Sequence, residues 1–232
     1  MHLTTKITIF SLLFSICIFS SKANEDIYGI DISHYQGSID WKRVKHWEGN
    51  KIHFVYIKAT EGATLQDNCY KKNTLGAKES NLLVGSYHYF RASTCPINQF
   101  RNFSSVVEKK GQDLIPIVDV EELSGCNEAQ FHKNFKHFLK LMQGHFEMKP
   151  LIYTSNSFYN KYLANKYNDY HFFIGRYSPQ KPILRDKKDW AIWQFTQEAN
   201  VAGINHRVDV NRISDKYTLD HFLIKKNKAL TL

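Results

Sequence analysis

No glycine-rich phosphate loop follows the first apolar run of this chain, so the signature of a doubly wound, nucleotide-binding sheet is missing. No HExxH and no paired CxxC occurs, which removes the common zinc spacings. No GxSxG marks a nucleophile elbow. Proline is scarce (5 in 232 residues), and no Pro/Gly/Ser-rich linker divides the chain. No internal repeat of solenoid length is visible. What is present is an ordinary globular mixture, 43% hydrophobic and 23% charged, long enough for one well-buried domain.

One segment stands apart. Residues 7–19 (ITIFSLLFSICIF) are almost wholly apolar, preceded by His2 and Lys6 and followed by Ser21-Lys22-Ala23. A charged start, a short apolar stretch and small residues at the end are the layout of a secretory signal peptide. The apolar run is shorter than the roughly 20 residues a membrane-spanning helix needs. Residues 1–23 are therefore expected to be a leader, and residues 24–232 one exported domain with no stable membrane insertion. Removing Lys6 and Lys22 takes the formal charge from +9 to +7. A basic exported surface is drawn to polyanions such as bacterial cell walls. Its basic residues are scattered and no nucleic-acid motif appears, so nucleic acid is not an expected partner.

Cys17 lies in the leader, which leaves Cys69, Cys95 and Cys126. Export permits disulfides, but three cysteines cannot all pair within a chain. Cys95 and Cys126 each follow an apolar run by a few residues. If those runs are neighbouring strands, their following loops lie side by side. A Cys95–Cys126 bond is expected on that ground, with Cys69 free.

Short apolar runs rich in β-branched and aromatic residues recur at 27–32, 53–59, 83–90, 114–120, 151–154, 171–177, 190–195 and 208–213. Between most of them lies a stretch of helical period: 40–47, 67–79, 96–108, 127–148 and 156–167. The clearest is 127–148, where Phe131, Phe135, Phe138, Leu139 and Met142 share one face and Asn127 with Gln130 resembles a capping box. Alternating strands and helices predict a parallel sheet, and eight strands predict closure. Segments 178–189 and 196–207 read as loops. The expected fold is α/β: an irregular, TIM-like (β/α) barrel whose last strands are joined by loops rather than full helices.

In a β/α barrel, function gathers where strands end. Acidic residues stand at four of the run ends here, as Asp31, Glu61, Asp119 with Glu121, and Asp209. Asp119 and Glu121 are the sharpest pair. Positions i and i+2 of a strand share a face, roughly 6.6 Å apart along the chain. Two such carboxyls repel, so one keeps its proton while the other ionises. Glycosidic cleavage needs that combination: a proton for the leaving oxygen and a group that stabilises the cationic transition state. Tyr35, Tyr87, Tyr89, Tyr153 and Trp193 also fall near run ends. Their flat faces suit the apolar side of a pyranose. His34 and His88 lie near the acids, which leaves a metal site as competing chemistry, but no metal-binding spacing accompanies them.

Taken together, the motifs resemble glycoside hydrolase family 25, the Chalaropsis-type lysozymes. They are YGIDISHYQG at 28–37 with IDW at 39–41, FVYIKATEG at 54–62, VGSYHY at 84–89, PIVDVEE at 116–122, WQ at 193–194 and VDVN at 208–211. They come in family order and cover nearly all of the chain after the leader. The resemblance implies an irregular β/α barrel that cleaves, with retention, the β-1,4 bond from N-acetylmuramic acid to N-acetylglucosamine. It implies Glu121 as proton donor and Asp119 as its partner, either orienting the substrate's 2-acetamido group or acting directly as nucleophile. Asp31 and Asp209 match acids of the same site, and Glu61, Tyr87, Tyr153, Trp193 and Gln194 would shape the groove. No cofactor is implied, the substrate partner is the peptidoglycan glycan strand, and a monomer is expected. Phe195 stands where the family usually has Tyr, and His206 where Gly is common. Two other readings stay open: a non-catalytic glycan-binding barrel, and a hydrolase of a related N-acetyl polymer such as chitin.

Overall fold

A computed structural model describes residues 26–224. The expected leader and the lysines at 225, 226 and 228 lie outside those residues. Eight strands carry the fold: β1 Tyr28–Ile32, β2 Asn50–Glu61, β3 Leu83–Tyr89, β4 Ile117–Asp119, β5 Leu151–Ser155, β6 Phe172–Gly175, β7 Ile192–Ala199 and β8 Val208–Ile213. Each coincides with one of the eight apolar runs. Hydrogen-bonded neighbours run β1-β2-β3-β4-β5-β6-β7-β8 and back to β1, so the sheet closes on itself as an eight-stranded barrel. Closure leaves no open sheet edge on this ring.

Seven strands are parallel to their neighbours, and β8 alone runs against both β7 and β1. The uniformly parallel sheet expected above therefore ends one strand early. The cause is the short connection between Ala199 and Val208. A parallel return needs a crossover of a dozen or more residues, whereas an antiparallel one can turn straight back.

Helices α1 Tyr70–Glu79, α2 Pro96–Val106 and α3 Glu128–Phe146 connect β2 to β3, β3 to β4 and β4 to β5. On α3, Phe131, Phe135, Phe138, Leu139, Met142 and Phe146 are buried, as the period requires. Asn127 caps it by accepting a hydrogen bond from the Gln130 amide at 2.9 Å. The reciprocal half of the box is absent, because the Gln130 side chain donates to Asn134 instead. Asn127→Ala is expected to destabilise the protein by about 1 kcal/mol, seen as a melting point lower by about 2–4 °C. An unchanged melting point would mean that the cap contributes nothing to stability.

After β5 the chain makes one α-helical turn, Asn156–Phe158, continued by a π-helical turn, Tyr159–Leu163. Among the described residues, no α-helix covers the side of the barrel formed by β7, β8 and β1. Aromatic rings line it instead: Trp190, Trp193, Phe195, Trp47 and Tyr28 follow one another at centroid spacings of 5.3 to 6.0 Å. The helix expected at 40–47 is not formed. A 3-10 turn, Trp41–Arg43, is followed by a two-residue strand, His46–Trp47, that folds back on the start of β2. Glu48 and Gly49, both at positive φ, make the tight turn between them.

Large rings fill the barrel. Tyr56 is fully buried and donates to the Ile115 carbonyl at 3.2 Å. It fits because its partner across the sheet is Gly85, where a Cβ would come within 2.2 Å of the ring.

Cys69, Cys95 and Cys126 are all free thiols, so the expected Cys95–Cys126 bond is not formed. The loops after β3 and β4 do lie side by side, as the Ala92 amide donating to Ser124 Oγ shows. The cysteines face different ways: Cys95 is exposed at the start of α2, and Cys126 packs against the core. No described helix is long and apolar enough to cross a membrane.

Candidate active site

Above the aromatic layer the barrel opens into a cavity of about 150 Å³. Four carboxyls line it: Asp31, Asp119, Glu121 and Asp209. Asp31 and Asp119 come from the ends of β1 and β4, and Glu121 follows two residues on. Asp209 comes from the start of β8. Because β8 runs the other way, its beginning lies at the rim where the other strands end. The antiparallel register sets Asp209 directly opposite Asp31.

The acids fall into two interacting pairs, Asp31 with Asp209 and Asp119 with Glu121. Burial pushes all four carboxyls up from the usual range. For Asp209, burial and the neighbouring Asp31 charge raise it to about 9. For Asp31, burial is partly offset because its Oδ2 accepts from both Gln194 Nε2 and Asn211 Nδ2 at 2.9 Å. Asp31 is thus the anion of its pair and Asp209 the donor. Asp119 is driven well above the usual range, by burial first and then by the charges of Glu121 and Asp31. Its Oδ1 is buried without a hydrogen-bond partner in the protein. The unmet acceptor marks Asp119 as a group with hydrogen-bonding capacity to spare.

Gln194 organises the opposite wall. Its Oε1 accepts from Tyr153 at 2.6 Å and Tyr177 at 2.9 Å, which leaves its amide free to donate to Asp31. Gly175 makes room for this junction, since a Cβ there would meet the Tyr153 hydroxyl at 2.6 Å. Tyr87 and Phe173 complete the lining. At the rim, Tyr35 stands 71% exposed beside the His34 ring, and Tyr177 is 52% exposed.

Of the residues expected from the sequence, Asp31, Tyr87, Asp119, Glu121, Tyr153, Gln194 and Asp209 meet in this one cavity. Two do not line it. Trp193 precedes Gln194 on β7 and so faces outward, between Trp190 and Phe195, with its indole N–H on the Arg176 carbonyl. Glu61 is taken up by ion pairs with Lys58 and Arg91. Three residues in or behind this site carried no assigned role in the sequence reading: Asn211, Tyr177 and Lys58. Asn211 stands two residues from Asp209, which was a usable signal. Tyr177 ended a strand run, and its reach toward Gln194 had none.

The two histidines considered for a metal are otherwise engaged. His34 Nδ1 bonds to Asp67 at 2.8 Å. His88 is buried between Thr60 and Gln99, and burial lowers it to about 4. Among the described residues no cluster of three His, Cys, Asp or Glu side chains is arranged to hold a metal ion.

Comparison with known proteins fits this geometry. The family model for glycosyl hydrolases family 25 matches residues 30–204. The uncharacterized protein YegX of Escherichia coli K12 is 35% identical over 191 residues, 82% of this chain and 70% of that protein. The autolytic lysozyme of Clostridium acetobutylicum is 31% identical over 187 residues, 81% of this chain and 56% of that protein. A family 25 glycosyl hydrolase from Bacillus anthracis superposes with a TM-score of 0.73 at 28% identity, covering 82% of this chain and 90% of its own. The match runs through most of the barrel and includes three of the four carboxyls. The chain belongs to the glycosyl hydrolases of family 25.

Proposed function

We propose that this glycoside hydrolase is an N-acetylmuramidase, cutting peptidoglycan glycan strands at the β-1,4 bond from N-acetylmuramic acid to N-acetylglucosamine. The observation that carries this reading is the pair of carboxyl pairs in one cavity. Glu121, nearest the opening, delivers the proton to the leaving oxygen. Inversion requires two carboxyls about 6.5–9.5 Å apart with a water between them. Asp119 and Glu121 stand two residues apart at one strand end and interact directly, and we read that pair as acid and assistant of a retaining reaction.

The same contact bears on the nucleophile. A covalent mechanism sets its two carboxyls about 5–5.5 Å apart. We take the substrate's own 2-acetamido oxygen as the nucleophile, with Asp119 accepting from the acetamido N–H. Water then opens the intermediate, with Glu121 taking its proton. Tyr35 and Tyr177 offer rim surfaces for neighbouring sugars. The chain works as an exported monomer after loss of residues 1–23, its barrel is an irregular relative of the (β/α) type, and no cofactor takes part.

The test is to incubate the purified protein with bacterial peptidoglycan, reduce the soluble fragments with borohydride and weigh them. Fragments ending in reduced N-acetylmuramic acid are expected. Fragments ending in reduced N-acetylglucosamine would move the cut to the other bond, and an absence of fragments would point to glycan binding without cleavage.

A further inference from the structure

Among the described residues, Lys58 is the only buried lysine, with 8% of its surface exposed. A buried ammonium is costly unless partners hold it. Here the holding arrangement depends on a fault in the sheet. The pairing of β2 with β3 slips between Lys58 and Thr60. In a regular strand residues 58 and 61 would point to opposite faces. The bulge brings them to the same one, with Lys58 opposite Tyr87 and Glu61 opposite Tyr89. Lys58 Nζ then lies 2.7 Å from Glu61 Oε2.

Glu61 is fixed in turn. Arg91 Nε donates to its other oxygen at 3.0 Å, and Arg91 also pairs with Glu122. Lys58 and Arg91 both lie over the Tyr89 ring, at 5.5 and 4.6 Å from its centroid. Tyr89 is the register partner of Asp119. The ammonium therefore lies across one intervening strand, β3, from the Asp119–Glu121 pair, and its charge favours the ionised form of both.

We propose that Lys58 is a positioning residue, locked by the bulge and by the Glu61–Arg91 clamp so that a fixed positive charge keeps one negative charge resident on the Asp119–Glu121 pair. The proposal rests on the muramidase reading for its consequence in turnover, though not for its electrostatics. Other groups act on the pair as well. Asp31 faces it from β1 and Glu122 from the following loop, both opposing ionisation, and Asp209 stands beside Asp31 on β8. Tyr153 and Tyr177 stand across the cavity, with Tyr87 and Tyr89 on β3. Lys58, with Arg91 behind it, is the cation that offsets the surrounding acids.

The test pairs a substrate-free measurement with a kinetic one. Side-chain carboxyl carbons of Asp119 and Glu121 are titrated by NMR in the wild type and in Lys58→Met. The variant is expected to move the pair's titration to higher pH by on the order of one unit. In the kinetic arm, kcat on peptidoglycan falls about tenfold, KM changes little, and the acidic limb of the pH profile moves upward. Lys58→Arg is expected to restore most of the activity. If Lys58→Met fails to fold, Lys58→Gln takes its place. An unmoved carboxyl titration in a folded variant would overturn the proposal. Wild-type protein inactive on peptidoglycan would instead remove the muramidase reading, while the titration would still decide the role of Lys58.

Discussion

Glu121→Gln is expected to lower turnover on peptidoglycan by about 10²–10⁴-fold while leaving the fold intact, the loss typical of removing a general acid. The amide matches the carboxyl in shape and can still hydrogen-bond to Asp119, so the cavity keeps its form. What it lacks is a proton to give the glycosidic oxygen. Burial holds the Glu121 carboxyl above the ordinary range, and that keeps it useful as an acid at higher pH than a free glutamate. KM is expected to change much less than kcat, because the lost interaction is made in the transition state. Activity above a few per cent of wild type, with a native circular dichroism spectrum, would rule Glu121 out as the donor.

A second large effect is expected in stability, with the opposite sign. Asp209 titrates at about 9 in the folded protein, against about 3.9 in an unfolded chain. Between those values the folded state keeps a proton that the unfolded state has released. The resulting stabilisation is fully present below pH 4 and is lost as the pH rises toward about 9. Asp31, Asp119 and Glu121 are raised too and act in the same direction. The surface acids Asp169 and Asp215 are lowered by their lysine partners and act oppositely, but only at acid pH. Asp209→Asn replaces the proton with an amide that still donates to Asp31. The variant is expected to melt several degrees above the wild type at pH 8, with the gap closing near pH 4. It should also lose activity, as happens when a strained catalytic site is relaxed. A variant that melts below the wild type at every pH would show that the Asp31–Asp209 pair does not share a proton.

Much of the barrel was legible because each strand announces itself as a short β-branched and aromatic run. Asp119 and Glu121 could be placed on one face from their spacing alone, since period-two alternation is local. What escaped depended on distant chain. Nothing local says that β8 runs backward, so Asp209 was read as the end of a strand when it is the beginning of one. Alternation also argued against Trp193: once Gln194 faces inward, its neighbour must face out. Glu61 shares a face with Lys58 only through a bulge that is defined by pairing with β3, and a strand read singly cannot show it. The Cys95–Cys126 expectation placed two loops correctly and failed on side-chain direction, which loops do not encode by period.

The closing of the barrel by its first and last strands has a kinetic side. Asp31 finds its donors at Gln194 and Asn211, separated by 163 and 180 residues of chain. Contacts so remote in sequence must overcome the entropy of closing a very long loop before they return any stabilisation. Half of the acid cluster therefore cannot exist until the last strand has docked against the first. A chain stalled or clipped before residue 208 would keep Asp119 and Glu121 on their strand yet lack Asp209 and the Asn211 amide. In this molecule the appearance of activity should mark the final step of folding rather than the collapse that precedes it.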